Sequence, residues 1–167
     1  MNGNRKINGL AEVADGYDTY LVDQWGVLHN GHAAHKPALE VMSRLKGAGK
    51  SLIILSNSSR RAETTRRNMA QMAIDHSLFD TIATSGEEVW QALHKREDNF
   101  YRNLGRRCIV FQWGKDNDFF DALDLDPTDD IEEAEFILLN GTERDKFPSY
   151  EPILYRAVER GLPMVCS

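Results

Sequence analysis

The chain has 167 residues, 41% of them hydrophobic and 28% charged, with a net charge of −6 and two cysteines. That is enough chain for one domain with a real core or two small ones. The acidic balance argues against nucleic-acid or anionic-membrane binding, and no apolar run reaches the length of a membrane span.

Residues Met1 to Gly9 read as a polar tail without the apolar stretch of a signal peptide. Leu10 to Gly16 reads as a short helix, and Asp18 to Val22 as the first strand, built from aromatic and β-branched residues. Asp23 sits where this strand should end, with Gly26 and Gly31 allowing sharp bends after it. A carboxylate there is a candidate nucleophile or hard-cation ligand, and equally a turn or N-cap residue. His29, His32 and His35 recur every three residues, but Pro37 follows closely, so a solvated loop is expected and not a metal site. Pro37 opens a helix whose Leu39, Met42 and Leu45 repeat at helical spacing, closed by Gly47 and Gly49.

Ser51 to Leu55 is a second buried strand that runs into Ser56-Asn57-Ser58-Ser59-Arg60. Strand, helix and strand in so short a span predict a βαβ unit with parallel strands. Asp23 and Ser56-Asn57 then share one edge of the sheet, where ligands gather in open α/β folds. Ser56 to Ser59 suit helix capping and anion binding alike. Arg60 to Ile74 reads as a basic helix whose Arg60, Arg61, Arg66 and Arg67 form a solvated face. Thr81 to Ala83 is a short strand, and Ser85-Gly86-Glu87-Glu88 a capping box that starts a helix with Val89, Trp90 and Leu93.

The polar run Lys95 to Arg107 contains Gly105, and a domain boundary is placed there: residues 1–104 and 105–167. The second region alternates again. Cys108 to Phe111 is a strand, Phe119 to Leu123 a short helix, and Asp124 to Glu135 an acidic surface loop. Phe136 to Leu139 is a strand, Ser149 to Arg160 a helix, and Pro163 to Ser167 the start of a further strand. Cys108 and Cys166 lie in apolar segments and read as buried thiols of a reducing, cytoplasmic compartment. No G-x-G-x-x-G fingerprint supports a dinucleotide site.

Asp23-Gln24-Trp25-Gly26-Val27-Leu28, one βαβ unit before Leu55-Ser56-Asn57-Ser58-Ser59, resembles the haloacid dehalogenase-like (HAD) superfamily. Gly31-His32 and the Ser-Asn pair point to its class IIA branch, the NagD and p-nitrophenylphosphatase group. The resemblance implies a partial Rossmann-like α/β core with an inserted α/β cap, here residues 105–167. It implies a phosphatase that acts on a small phosphorylated substrate, sugar-phosphate or nucleotide-like. Asp23 would form an aspartyl-phosphate. Mg²⁺ would be held by Asp23 and the main-chain carbonyl of Trp25. Ser56 and Asn57 would bind the phosphoryl oxygens.

Three departures bear on this. Trp25 stands two positions after Asp23, where the superfamily has its general acid–base Asp. The later phosphate-binding Lys and the acidic motif that completes the Mg²⁺ site have no room before Ser167, so the core is expected to be incomplete and its open strand edges to favour self-association. Lys115 with Asp116 and Asp118 imitates those motifs but reads as a cap loop near substrate. The alternative is therefore a catalytically silent module that binds a phosphorylated ligand or a protein partner.

Overall fold

The computed structural model describes residues 6–114 and 118–167. It divides into two compact units, Met1–Ser56 with Thr65–Ala83, and Asn57–Thr64 with Thr84–Ser167.

In the first unit, two 3₁₀ turns, Leu10–Glu12 and Ala14–Gly16, stand where a short helix was expected. Strand β1 (Thr19–Asp23) is followed by helix α1 (Lys36–Gly47), which carries Pro at its first turn, and by strand β2 (Ser51–Ser56). The two strands pair in parallel from Thr19↔Ser51 to Asp23↔Leu55, as the βαβ reading requires. Strand β3 (Thr81–Thr84) completes a sheet of order β1-β2-β3. Side chains alternate across a strand, so Leu52, Ile54 and Ser56 turn to one face, where all three are buried. The core of this unit also takes in Met42, Leu45, Met69, Ile74 and Phe79. The opposite face carries Leu21 and Leu55, both exposed. Helix α2 (Ala62–Gln71) supplies Met69.

The second unit holds helices α3 (Ser85–Lys95) and α4 (Asn99–Asn103), then β4 (Arg107–Gln112), β5 (Asp126–Pro127), β6 (Phe136–Asn140), helix α5 (Phe147–Glu159) and β7 (Met164–Cys166). Its sheet has the order β5-β4-β6-β7 with every pair parallel. Parallel sheets covered on both faces read as continuous apolar runs, and Phe136-Ile137-Leu138 is such a run, fully buried. One face packs Cys108, Phe136, Leu138 and Val165 against Val89, Leu93 and Phe119. The other packs Ile109, Phe111 and Ile137 against Tyr150 and Ala157. Burial pushes the Cys108 thiol up to about 12, so it is inert at neutral pH.

The two sheets fall on either side of Gly105 in sequence, and the second compact unit also takes in Asn57–Thr64 and the segment from Thr84 that holds α3 and α4. Several local expectations change. Residues 118–122 form turns instead of a helix, with Ala122 at φ 61°, a conformation no α-helix contains. The acidic loop includes β5, which pairs with Arg107 and Cys108. Cys166 is exposed, not buried. Lys115 and Asp116 lie outside the described residues, while Asp118 accepts a hydrogen bond from the Thr64 hydroxyl. Among the described residues no helix is long and apolar enough to cross a membrane.

Candidate active site

Asp23 is the last residue of β1 and is exposed. Its Oδ1 accepts the Gln24 N–H at 2.8 Å, which turns the carboxylate along the chain leaving the strand. Ser56 ends β2 and is buried, and Asn57, exposed, follows it out of the strand. The pairing of Asp23 with Leu55 puts Asp23 and Ser56 one rung apart on adjacent strands.

The turn after Asp23 is a closed hydrogen-bonded structure. Leu28 N donates to Gln24 O at 2.9 Å, Gly26 N to His29 O at 2.8 Å, and His35 N to Leu28 O at 2.8 Å. Leu28 is fully buried at its centre. Gln24 and His29 are buried too, which corrects the expectation that the three histidines share a solvated loop. His29 Nδ1 accepts the Gly31 N–H at 3.0 Å, so the proton of the neutral ring sits on Nε2. The Gln24 Nε2 lies 3.0 Å from the ring Nε2; with the ring proton on Nε2, a half-turn of the amide presents its oxygen as the acceptor. Desolvation holds His29 below its ordinary value, reinforced by the nearby charge of His35. The ring is thus a neutral buried strut.

Trp25 is exposed, and its indole lies across Gly31. A Cβ on Gly31 would meet Trp25 Cη2 at 2.5 Å, and Gly31 has φ +90°, so glycine is required twice over. The indole also meets the His29 ring edge-on, at 5.7 Å between centres and 81° between planes.

The segment after Ser56 differs from the expected solvated arginine face. The Arg60 guanidinium lies 4.6 Å from the centre of the Trp113 ring, and that of Arg61 lies 3.6 Å from the Trp90 ring. Arg61 also forms a two-pronged pair with Glu87, Nε–Oε2 at 2.7 Å and Nη2–Oε1 at 3.2 Å. No spacing signal links Arg61 to residues so far along the chain. Sequence reasoning also missed Gln24 as a partner of His29, although two polar residues beside Leu28 on a tight turn were its trace.

A model of haloacid dehalogenase-like hydrolases matches residues 20–126. The chain belongs to the haloacid dehalogenase-like hydrolase family. A member of that family from Brucella suis 1330 superposes with a TM-score of 0.80 and 25% identity, over 99% of this chain and 60% of that one. A possible sugar phosphatase of the HAD superfamily from Cytophaga hutchinsonii gives 0.74 and 16%, over 96% and 58%. A 4-nitrophenylphosphatase from Thermotoga maritima gives 0.59 and 24%, over 92% and 56%. A comparison with curated protein sequences gives no match. The chain thus spans about 60% of the length of these HAD structures. The HAD family expected from the sequence is the one matched, and the mixed α/β fold with parallel sheets agrees with it.

Proposed function

We propose that this chain carries the nucleophile and the phosphate-binding turn of a Mg²⁺-dependent phosphomonoester hydrolase for small, sugar-phosphate or nucleotide-like substrates in the cytoplasm. The observation that carries the reading is the strand register: Asp23 and Ser56 stand one rung apart at the carboxyl ends of paired parallel strands. Structural neighbours named 4-nitrophenylphosphatase and glycerol phosphate phosphatase support the same class of reaction.

The donors fit a hard cation. Asp23 offers a carboxylate, and among the described residues the Trp25 carbonyl accepts none of the turn's hydrogen bonds. One carboxylate and one carbonyl, with water and substrate phosphate for the rest, is a set Mg²⁺ uses. When bound, Mg²⁺ offsets the repulsion between a carboxylate and a phosphate dianion. Oδ1 of Asp23 is engaged by Gln24, so Oδ2 is the attacking oxygen. Its lone pair would form the new P–O bond as the ester P–O bond breaks, the leaving oxygen departing as an alkoxide that takes its proton from solvent water. The Ser56 hydroxyl and the Asn57 amide donate to the phosphoryl oxygens as charge gathers there. Water then attacks the aspartyl-phosphate and restores the carboxylate.

Trp25 favours a second reading. Its indole cannot protonate a leaving group, and loss of general acid–base help costs about 10²–10⁴-fold in rate. A silent phospho-ligand module would keep the same turns. The test is Mg²⁺-dependent hydrolysis of p-nitrophenyl phosphate by the protein and by its Asp23→Asn variant. Turnover that the variant abolishes is the expected result. Turnover that survives in the variant removes Asp23 as nucleophile. Phosphate and Mg²⁺ binding without turnover selects the silent module.

A further inference from the structure

The start of α3 makes more contacts than a helix cap needs. The N-cap is Thr84, one residue before the Ser85 expected from the sequence; its Oγ1 accepts the Glu87 N–H at 3.0 Å. The same hydroxyl donates to the Arg60 carbonyl at 2.7 Å. The Gly86 N–H donates to the Ser58 carbonyl at 3.0 Å. A Cβ on Gly86 would lie 2.0 Å from the Ser59 carbonyl oxygen and 2.7 Å from that of Arg60, so only glycine lets the segment lie so close. In a capping box the glutamate reaches back to its own helix start. Here the Glu87 carboxylate accepts both prongs of Arg61, the Ala62 N–H at 3.1 Å and the Gln91 amide at 3.3 Å. Arg61 and Glu87 keep only 21% and 17% of their side-chain surface in solvent, so the pair is largely shielded from screening. Ser58, Arg60 and Ala62, alternate residues of one short segment, are each tied to the same helix end.

We propose that Glu87, with Thr84 and Gly86, forms a positioning clamp that fixes the backbone of residues 57–62, so that the turn leaving β2 meets a phosphoryl group already ordered. The inference rests on the phosphate-binding reading of Ser56 and Asn57. A polar turn without the clamp must be ordered when the anion arrives, and that ordering weakens binding. These three residues act through the backbone that carries Asn57 and not on the phosphoryl group itself.

The experiment measures, on the full chain, the Kd of inorganic phosphate with saturating Mg²⁺, the Kd of Mg²⁺ alone, and amide exchange of residues 57–62. The proteins are the unaltered chain, Ser56→Ala, Glu87→Gln and Gly86→Ala. Ser56→Ala is expected to lose phosphate binding. Glu87→Gln and Gly86→Ala are expected to weaken phosphate on the order of tenfold, leave the Mg²⁺ Kd unchanged and speed exchange in 57–62. A general loss of structure would move both constants together. If Glu87→Gln does not fold, Thr84→Val removes one hydroxyl, and Thr84→Ser is expected to restore phosphate affinity. Unchanged phosphate affinity in the clamp variants, with binding lost in Ser56→Ala, overturns the clamp and keeps the site reading. No phosphate binding by the unaltered chain overturns the site reading, and the positioning role with it, whatever the exchange data show.

Discussion

Gly31→Ala is the most informative single change near Asp23. The backbone at Gly31 has φ +90°, and holding an alanine in left-handed geometry costs about 1–2 kcal/mol. The new Cβ would stand 2.5 Å from Trp25 Cη2 and 2.8 Å from Cζ3, far inside the ordinary carbon contact of about 3.5–4.0 Å. The indole must therefore swing away and lose its edge contact with His29, worth about 0.5–1.5 kcal/mol. Together these predict about 2.5 kcal/mol of destabilisation, or roughly 5–10 °C in Tm for a chain of this size. Urea melts followed by tryptophan fluorescence measure it. The decisive arm is the double-mutant cycle with Trp25→Ala, because without the indole only the backbone cost remains. A coupling of about 0.5–1.5 kcal/mol is expected. An equal cost of Gly31→Ala in both backgrounds would show that the indole does not rest on Gly31, and would refute the reasoning.

Gln24→Leu strips the buried His29 ring of its partner at Nε2 and should cost about 1–3 kcal/mol; a stability change below the error of a urea melt would mean the ring is not held by that bond. Leu28→Ala removes a fully buried side chain from the centre of the same turn and should cost about 2–5 kcal/mol, measured by thermal melting. The Arg61 guanidinium bonded to Glu87 holds that carboxyl below its ordinary range, so the unfolded chain takes up the proton first as pH falls. The stability that Glu87 adds is thus complete above the ordinary carboxyl value of about 4.3 and fades as pH drops through the lowered folded value. The difference between the protein and Glu87→Gln should shrink over that window, and a difference constant with pH contradicts the assignment.

What could be read from the sequence followed from local periodicity. Phe-Ile-Leu-Leu reads as a strand buried on both faces, and Ser-Leu-Ile-Ile-Leu as a strand whose Leu52 and Ile54 turn inward. Asp23 at the end of β1 was legible from the switch from apolar to polar residues. The rest depended on partners distant in sequence or on irregular turns. His29 looked solvated because its spacing from His32 and His35 suggests a loop, while its burial comes from Gln24, Leu28 and the β-bridges to Trp25 and Ala34. Arg60 and Arg61 looked like a charged surface because nothing in a helical pattern announces an indole on another element. Thr84 was passed over as N-cap because it also closes β3, and one residue served both elements. The helix expected at Phe119 to Leu123 fails at Ala122, whose positive φ no apolar spacing reveals.

The turns after Asp23 and Ser56 are held in different ways, and this separates their failure modes. The turn after Asp23 closes on itself: among the described residues, the hydrogen bonds that shape it run between Asp23 and His35, and its buried members are neutral. Its geometry therefore answers to packing and should be indifferent to salt. The turn after Ser56 is held from outside, by a helix that begins at Ser85, and its main tie is the charged Arg61–Glu87 pair. Its geometry answers to ionisation. Acid that protonates Glu87 loosens the segment carrying Asn57. In the proposed phosphatase, acidification in that range is accordingly expected to weaken phosphate binding.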